Sequence, residues 1–223
     1  MKRYCLFILC FSAFQYNHGF SQSTPSQLIN EVKSLEIRNA PTKMEYNNFE
    51  GTPFYKSQFI NSTVYYFNGN YASVPLRYDL YMDEMEFKQG TEVYWLIKED
   101  IKLIKYGTDM LFTAPLPDDN SKLSFYFISD LGRNKLFYRK SVNLSQYVEP
   151  KGYAGPVPAS FGQNEDEYYI APEGKRIKKV KTNKDLKTIF DGNQAALEFL
   201  RKEKLKADKF EDLKKLISFV NGK

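Results

Sequence analysis

From Phe49 to Ser141 apolar and polar residues alternate in short runs, the period of two that a β-strand imposes. Val64-Tyr65-Tyr66-Phe67 runs into Asn68-Gly69, a dipeptide that accepts the positive φ of a tight hairpin turn. Leu76, Tyr78, Leu80 and Met82 alternate with Arg77, Asp79 and Tyr81, which predicts a strand with one core face and one wet face. Asp83-Glu84 leads into Met85–Lys88, Gln89-Gly90 into Val93–Ile97, Glu99-Asp100 into Ile101–Tyr106, and Gly107-Thr108-Asp109 into Met110–Phe112. The pattern breaks at Pro115–Asn120, resumes over Leu123–Ile128, turns at Asp130–Asn134 and returns over Lys135–Lys140. Connections this short leave no room for helical crossovers. The expected fold is α+β, with a curved antiparallel meander, either an open sheet or a partial barrel.

Beyond the meander the pattern changes. Pro150, Gly152, Gly155, Pro156, Pro158 and Gly162 mark a strap or linker over residues 149–167. Tyr168-Tyr169-Ile170 and Arg176–Val180 flank Pro172-Glu173-Gly174, a hairpin. Thr182 with Asp185 forms a capping box ahead of Leu186, Ile189 and Phe190. Asn193 caps a second helix carrying Ala196, Leu197, Phe199 and Leu200, and Asp208 with Glu211 begins a third. The third has an apolar stripe of Phe210, Leu213, Leu216, Ile217 and Val220, closed by Gly222. Near the N-terminus, residues 25–37 carry Leu28, Val32 and Leu35 at helical spacing.

The first residues change the chemistry available. Lys2 and Arg3 precede an apolar run from Tyr4 to Phe14, and Gly19-Phe20-Ser21 places small residues around a cleavage point. This predicts a signal peptide over residues 1–21, too short to span a bilayer, and an exported mature chain from Gln22. The expected parts are then that signal, a β-rich body over 22–148, a strap and hairpin over 149–181, and a helical tail over 182–223. Cys5, Cys10 and His18 are the chain's whole complement of cysteine and histidine, and all fall in the signal. A mature chain without them has no disulfide, thiol nucleophile or serine–histidine triad. It also has no zinc, haem or copper site built on those ligands. Carboxylate chemistry, Ser–Lys pairs, Tyr, Arg and oxygen-ligated cations remain.

Charge divides along the chain. Residues 175–223 hold 15 Lys and Arg against 7 Asp and Glu, while residues 22–174 hold 15 against 20. The basic tail either docks on the acidic body, coats itself for solubility, or meets an anionic envelope component such as phospholipid, lipopolysaccharide or acidic polymer. Export and the lack of recognition spacing argue against nucleic acid.

Asp79, Asp83, Glu84 and Glu86 fall within eight residues. They are the candidates for a glycosidase-type carboxylate pair, against the plainer expectation of a polar strand face and a charged turn. Asp118-Asp119-Asn120 offers oxygens to a cation but lacks the ligand spacing of a dedicated calcium loop, so it reads as a turn. No catalytic, cofactor-binding or metal-binding residue is therefore assigned, and no cofactor is expected. Tyr65, Tyr66, Phe67, Tyr71, Tyr78, Tyr81, Phe87, Tyr94 and Trp95 put aromatic rings on both sheet faces, for the core or for a sugar or peptide. Asn61-Ser62-Thr63 and Asn143-Leu144-Ser145 match glycosylation acceptors by chance.

The stretches Gly51-Thr52-Pro53-Phe54-Tyr55, Val74-Pro75-Leu76-Arg77-Tyr78-Asp79-Leu80-Tyr81 and Asp83-Glu84-Met85-Glu86-Phe87 resemble an uncharacterised family of secreted proteins from Bacteroidetes. Phe20-Ser21-Gln22, Tyr168-Tyr169-Ile170 and the Lys-rich end extend the resemblance. It implies an export route and no particular activity. The leading expectation is a non-enzymatic exported or envelope scaffold for binding. A carboxylate-dependent hydrolase of envelope polysaccharide and a lipid-handling protein with an apolar groove are the alternatives.

Overall fold

The computed structural model describes residues 37–40, 46, 49–149 and 155–222. The expected signal peptide lies outside the described residues. So does the expected helix over 25–37, except Ile37, which begins a strand.

A first strand that the sequence pattern does not predict, β1 (Ile37–Asn39), precedes the predicted strands β2 (Ile60–Tyr66), β3 (Tyr71–Asp79), β4 (Glu84–Gln89), β5 (Glu92–Leu96), β6 (Ile101–Tyr106), β7 (Asp109–Leu116), β8 (Asp119–Asp130) and β9 (Lys135–Arg139), of which β6 pairs with β2 and not with β5. With β12 (Glu167–Ala171) and β13 (Lys178–Val180) they form an eleven-stranded antiparallel sheet in the order β1-β5-β4-β3-β2-β6-β7-β8-β9-β12-β13. The sheet is open, with β1 and β13 at its edges. A two-stranded ribbon pairs β10 (Val142–Ser145) with β11 (Ser160–Gln163).

The sheet is strongly curved. Three strands separate β3 from β8, which in a flat sheet would place them about 19 Å apart. Instead the Tyr78 ring lies 5.4 Å from Phe125 and 6.0 Å from Phe127. The concave face is filled by Val64, Tyr66, Val74, Leu76, Tyr78, Met85, Ile104 and Tyr106, all buried. Alternation puts Tyr65, Tyr71 and Ser73 on the opposite face.

α1 (Asn183–Ile189), α2 (Gln194–Lys202) and α3 (Phe210–Val220) pack on the β9-β12-β13 end. Thr182 and Asp185 make the predicted capping box, and Asn193 Oδ1 accepts from Ala196 N over 3.1 Å. Leu213, Leu216 and Ile217 are buried against Leu136, Ile170 and Val180. Tyr138 joins the two cores, stacked on Phe127 at 5.0 Å and edge-on to Phe210 at 5.2 Å.

Four expectations need correction. The β3 alternation holds to Tyr78 and then fails: Asp79 is 1 % exposed and Met82 39 % exposed. The strand ends at Asp79, so Leu80–Asp83 form a turn with Asp83 at φ 56°, and a turn has no period of two. The break at Pro115 is a bulge inside β7, and the turn is Pro117-Asp118 alone. Residues 149–167 are more than a strap, because β11 lies within them. α3 starts without the Asp208–Glu211 box: Lys209 occupies the cap position with no side-chain bond, and Asp212 accepts from Lys206 N over 3.0 Å.

Candidate binding surface

The four acids singled out from sequence are each engaged within the fold. Asp79 Oδ2 accepts from Tyr46 Oη over 2.8 Å, and its Oδ1 accepts from the amides of Tyr81 and Met82 over 2.9 Å each. Burial pushes its pKa up, against the pull of these hydrogen bonds. The turn is thus an Asx-type turn closed by the strand's last residue.

Asp83 and Glu84 form a buried cluster around Lys98, which sits in the 3-10 turn Lys98–Asp100 before β6. Tyr78 Oη donates to Asp83 Oδ1 and Ser124 Oγ to Oδ2, each over 2.6 Å. Lys98 Nζ lies 3.5 Å from Asp83 Oδ2 and 3.4 Å from Glu84 Oε1. Arg38 adds a 2.7 Å contact to the same Glu84 oxygen. Glu84 Oε2 has no hydrogen-bond partner among the described residues, and burial raises the Glu84 pKa despite the two cations. Burial and Asp83 likewise hold the Tyr78 hydroxyl well above its usual range. Ser124 and Lys98 therefore share one oxygen of Asp83, but Ser124 is fully buried and has no route to a substrate.

Glu86 accepts from Arg77 Nε over 2.8 Å. The Arg77 guanidinium lies 3.7 Å from the centre of the Phe54 ring and 4.6 Å from that of Phe59. Asp119 binds its own turn, accepting from Ser121 Oγ over 2.6 Å, and this bond lowers its pKa. Among the described residues no group of three or more acids, cysteines or histidines is placed to hold a metal ion.

The aromatic residues divide differently. Tyr66 and Tyr78 join the core, while Tyr65, Phe67 and Tyr71 are 39 %, 68 % and 64 % exposed around the β2–β3 hairpin. Tyr65 pairs across the strands with Tyr71, their rings 6.2 Å apart. The next outward pair is polar: Thr63 and Ser73 hydroxyls lie 3.2 Å apart. Asn68 Oδ1 accepts from Asn70 N over 2.9 Å and fixes the hairpin tip. A second hydrogen bond, from Phe67 N to the Asp100 carbonyl over 3.0 Å, ties the tip to the neighbouring turn.

The exposed rings begin a row that crosses the convex face. Tyr71 pairs with Tyr65 and Tyr65 with Leu103. One step beyond the Ile104–Leu111 pair, Leu103 faces Phe112, which pairs with Tyr126. At that end the row is closed: Tyr126 and Tyr169 are buried, edge-to-face at 4.9 Å, with Arg139 bridging Glu167 Oε2 at 2.9 Å. The row could be foreseen only in part. Alternation identifies outward residues, whereas which of them stay uncovered depends on packing far along the chain.

Lys179 of β13 pairs with Glu167, but the three helices of the basic tail dock without an ion pair to the body among the described residues. Among the described residues the ion pair of the three helices is Lys214–Glu211, inside α3. Its polar tie to the body is Asn221, bonded to Asn134 and Asp130. No helix among the described residues is long and apolar enough to cross a membrane. Compared with protein-family models, curated proteins and solved structures, the chain matches none.

Proposed function

We propose that the protein is exported to the cell envelope or beyond, as its N-terminal residues and its resemblance to secreted Bacteroidetes proteins suggest. There it acts without catalysis, as a scaffold that binds envelope polysaccharide through the convex aromatic row. The observation that carries this reading is the joint exposure of Tyr65, Phe67 and Tyr71 on a hairpin whose tip is braced internally by Asn68 and tied to the neighbouring turn through Phe67 N. Aromatic faces match the C–H faces of sugar rings, and the adjacent Thr63, Ser73 and Asn68 offer hydroxyl and amide groups for sugar hydroxyls. The hydrolase alternative is supported less well, because Asp79, Asp83, Glu84 and Glu86 are buried and engaged. The lipid-handling alternative meets a concave face already filled by side chains. Co-sedimentation with insoluble envelope polysaccharide tests the proposal. Replacing Tyr65, Phe67 and Tyr71 together by alanine should release the protein from the pellet while its far-ultraviolet circular dichroism stays that of the folded sheet, with a modest loss of stability from the Tyr65–Tyr71 pair.

A further inference from the structure

The groove between α1 and α2 forms a cleft of about 750 Å3 on the helical tail, away from the aromatic row. Lys187 of α1, Arg201 of α2, and Lys204 and Lys206 of the following loop all line it, against one carboxylate, Asp191. None of these four cations is in an ion pair among the described residues. The acidic body does not neutralise them either, since the tail docks through Leu213, Leu216, Ile217 and Asn221. Four like charges around one concavity repel each other, and that repulsion is relieved when an anion enters.

The cleft is also a built feature. The Asn183 side chain donates to the Leu205 carbonyl over 2.9 Å and accepts from Ala207 N over 2.8 Å, fastening the loop to α1. Lys204 holds φ 53° just past Glu203, the residue that caps α2. A residue with a Cβ is disfavoured there by on the order of 1–2 kcal/mol, so glycine would be the easier choice. Leu197 and Leu200 give the cleft an apolar wall.

We infer that this cleft is a binding site for a phosphate-bearing anion, independent of the aromatic surface. A guanidinium offers paired N–H donors that match a tetrahedral oxyanion, and the ammonium groups add unpaired charge. The leucine wall accommodates an organic substituent, so a phosphate ester fits better than a bare ion.

Two probes separate a soluble phosphate from a lipid headgroup. Inorganic pyrophosphate is titrated calorimetrically into the full chain, and vesicles of phosphatidylglycerol and phosphatidylcholine in equal parts are co-sedimented with it. Arg201→Gln with Lys204→Gln should weaken binding about tenfold in whichever arm binds. Lys187→Gln alone should weaken it in the same direction. Lys214→Gln with Lys215→Gln removes the same charge from α3 and should leave binding within about twofold of the parent. Binding in the pyrophosphate arm assigns the site to soluble phosphates, and binding in the vesicle arm alone assigns it to headgroups. No binding in either arm, or equal weakening by both double substitutions, overturns the inference. All of these side chains are exposed, so each variant should keep its helical circular dichroism.

Discussion

Asn221, at the end of α3, grips Asn134 in the β8–β9 turn: its Oδ1 accepts from Asn134 N and its Nδ2 donates to the Asn134 carbonyl, each over 2.9 Å. One side-chain amide thus uses both ends to fix the last helix to the sheet. Asn221→Ala should destabilise the protein by about 1–3 kcal/mol, the range for stranding partly buried hydrogen-bond groups. Gly132→Ala should act similarly, because a Cβ there runs into the Asn221 side-chain amide and lies 2.9 Å from Asp130 Oδ1. Urea unfolding of the two variants and their double checks this, since a shared mechanism makes the double less than additive.

Packing should hold the tail more firmly than charge. Leu213 and Leu216 are buried, so Leu213→Ala or Leu216→Ala should cost about 2–5 kcal/mol. Replacing the exposed Lys214 or Lys215 by alanine should change stability by less than about 0.5 kcal/mol. Hydrogen exchange over residues 183–222 should speed up in the leucine variants and stay unchanged in moderately high salt. Protection lost to salt and insensitive to Leu216→Ala would contradict this.

The Asp83 cluster should be a stability element. Asp83→Ala leaves Lys98 with a weakened partner set and strands Tyr78 Oη and Ser124 Oγ, for a cost of about 3–5 kcal/mol. Asp83→Asn keeps one of the two acceptor oxygens and tolerates the left-handed backbone, so it should cost less. Chemical denaturation ranks the two, and equal losses would mean that the carboxylate charge, which both substitutions remove, matters more than the backbone at Asp83.

Two acids should act on pH stability with opposite signs. The Asp79 pKa is raised, so its carboxyl keeps its proton longer in the folded state. Its contribution is full below the unfolded aspartate range and falls as pH rises through the raised folded value. Glu167 is lowered: burial opposes its ionisation, but Lys179, Tyr169 and Arg139 outweigh that. Its contribution is present above the unfolded glutamate range and is lost as pH falls through the lowered folded value. Asp79→Asn should therefore remove a decline of stability with rising pH, and Glu167→Gln should remove an acid-side loss. Thermal unfolding midpoints measured across the acidic range in the two variants check both signs.

Much of this architecture is legible in the sequence because strands and helices leave local signatures. The alternation over Leu76–Tyr78, the Asn68-Gly69 turn and the Thr182–Asp185 box each depend on residues a few positions apart, and each appears where local pattern places it. Where the structure departs from the local pattern, distant contacts are the cause. Asp79 belongs to a wet face by its period but is buried under Tyr46, 33 positions earlier. Asp83 looks like a surface turn, yet it meets Ser124 from 41 positions away, and no local pattern links the two. Alternation puts aromatic rings on both sheet faces, but that Tyr65 and Tyr71 are the exposed ones, and that Lys187 converges with Arg201, Lys204 and Lys206 on one cleft, depends on tertiary packing.

The proposed role requires the protein to bind envelope polysaccharide by its aromatic row and to leave it intact. The most direct test incubates purified protein with isolated envelope polysaccharide and measures bound protein and newly released reducing ends in one reaction. The predicted result is saturable binding, reduced at least about tenfold when Tyr65, Phe67 and Tyr71 are alanine, with no reducing ends released. Release of reducing ends that disappears in Asp83→Asn or Glu84→Gln, with the aromatic variant still bound, would contradict it.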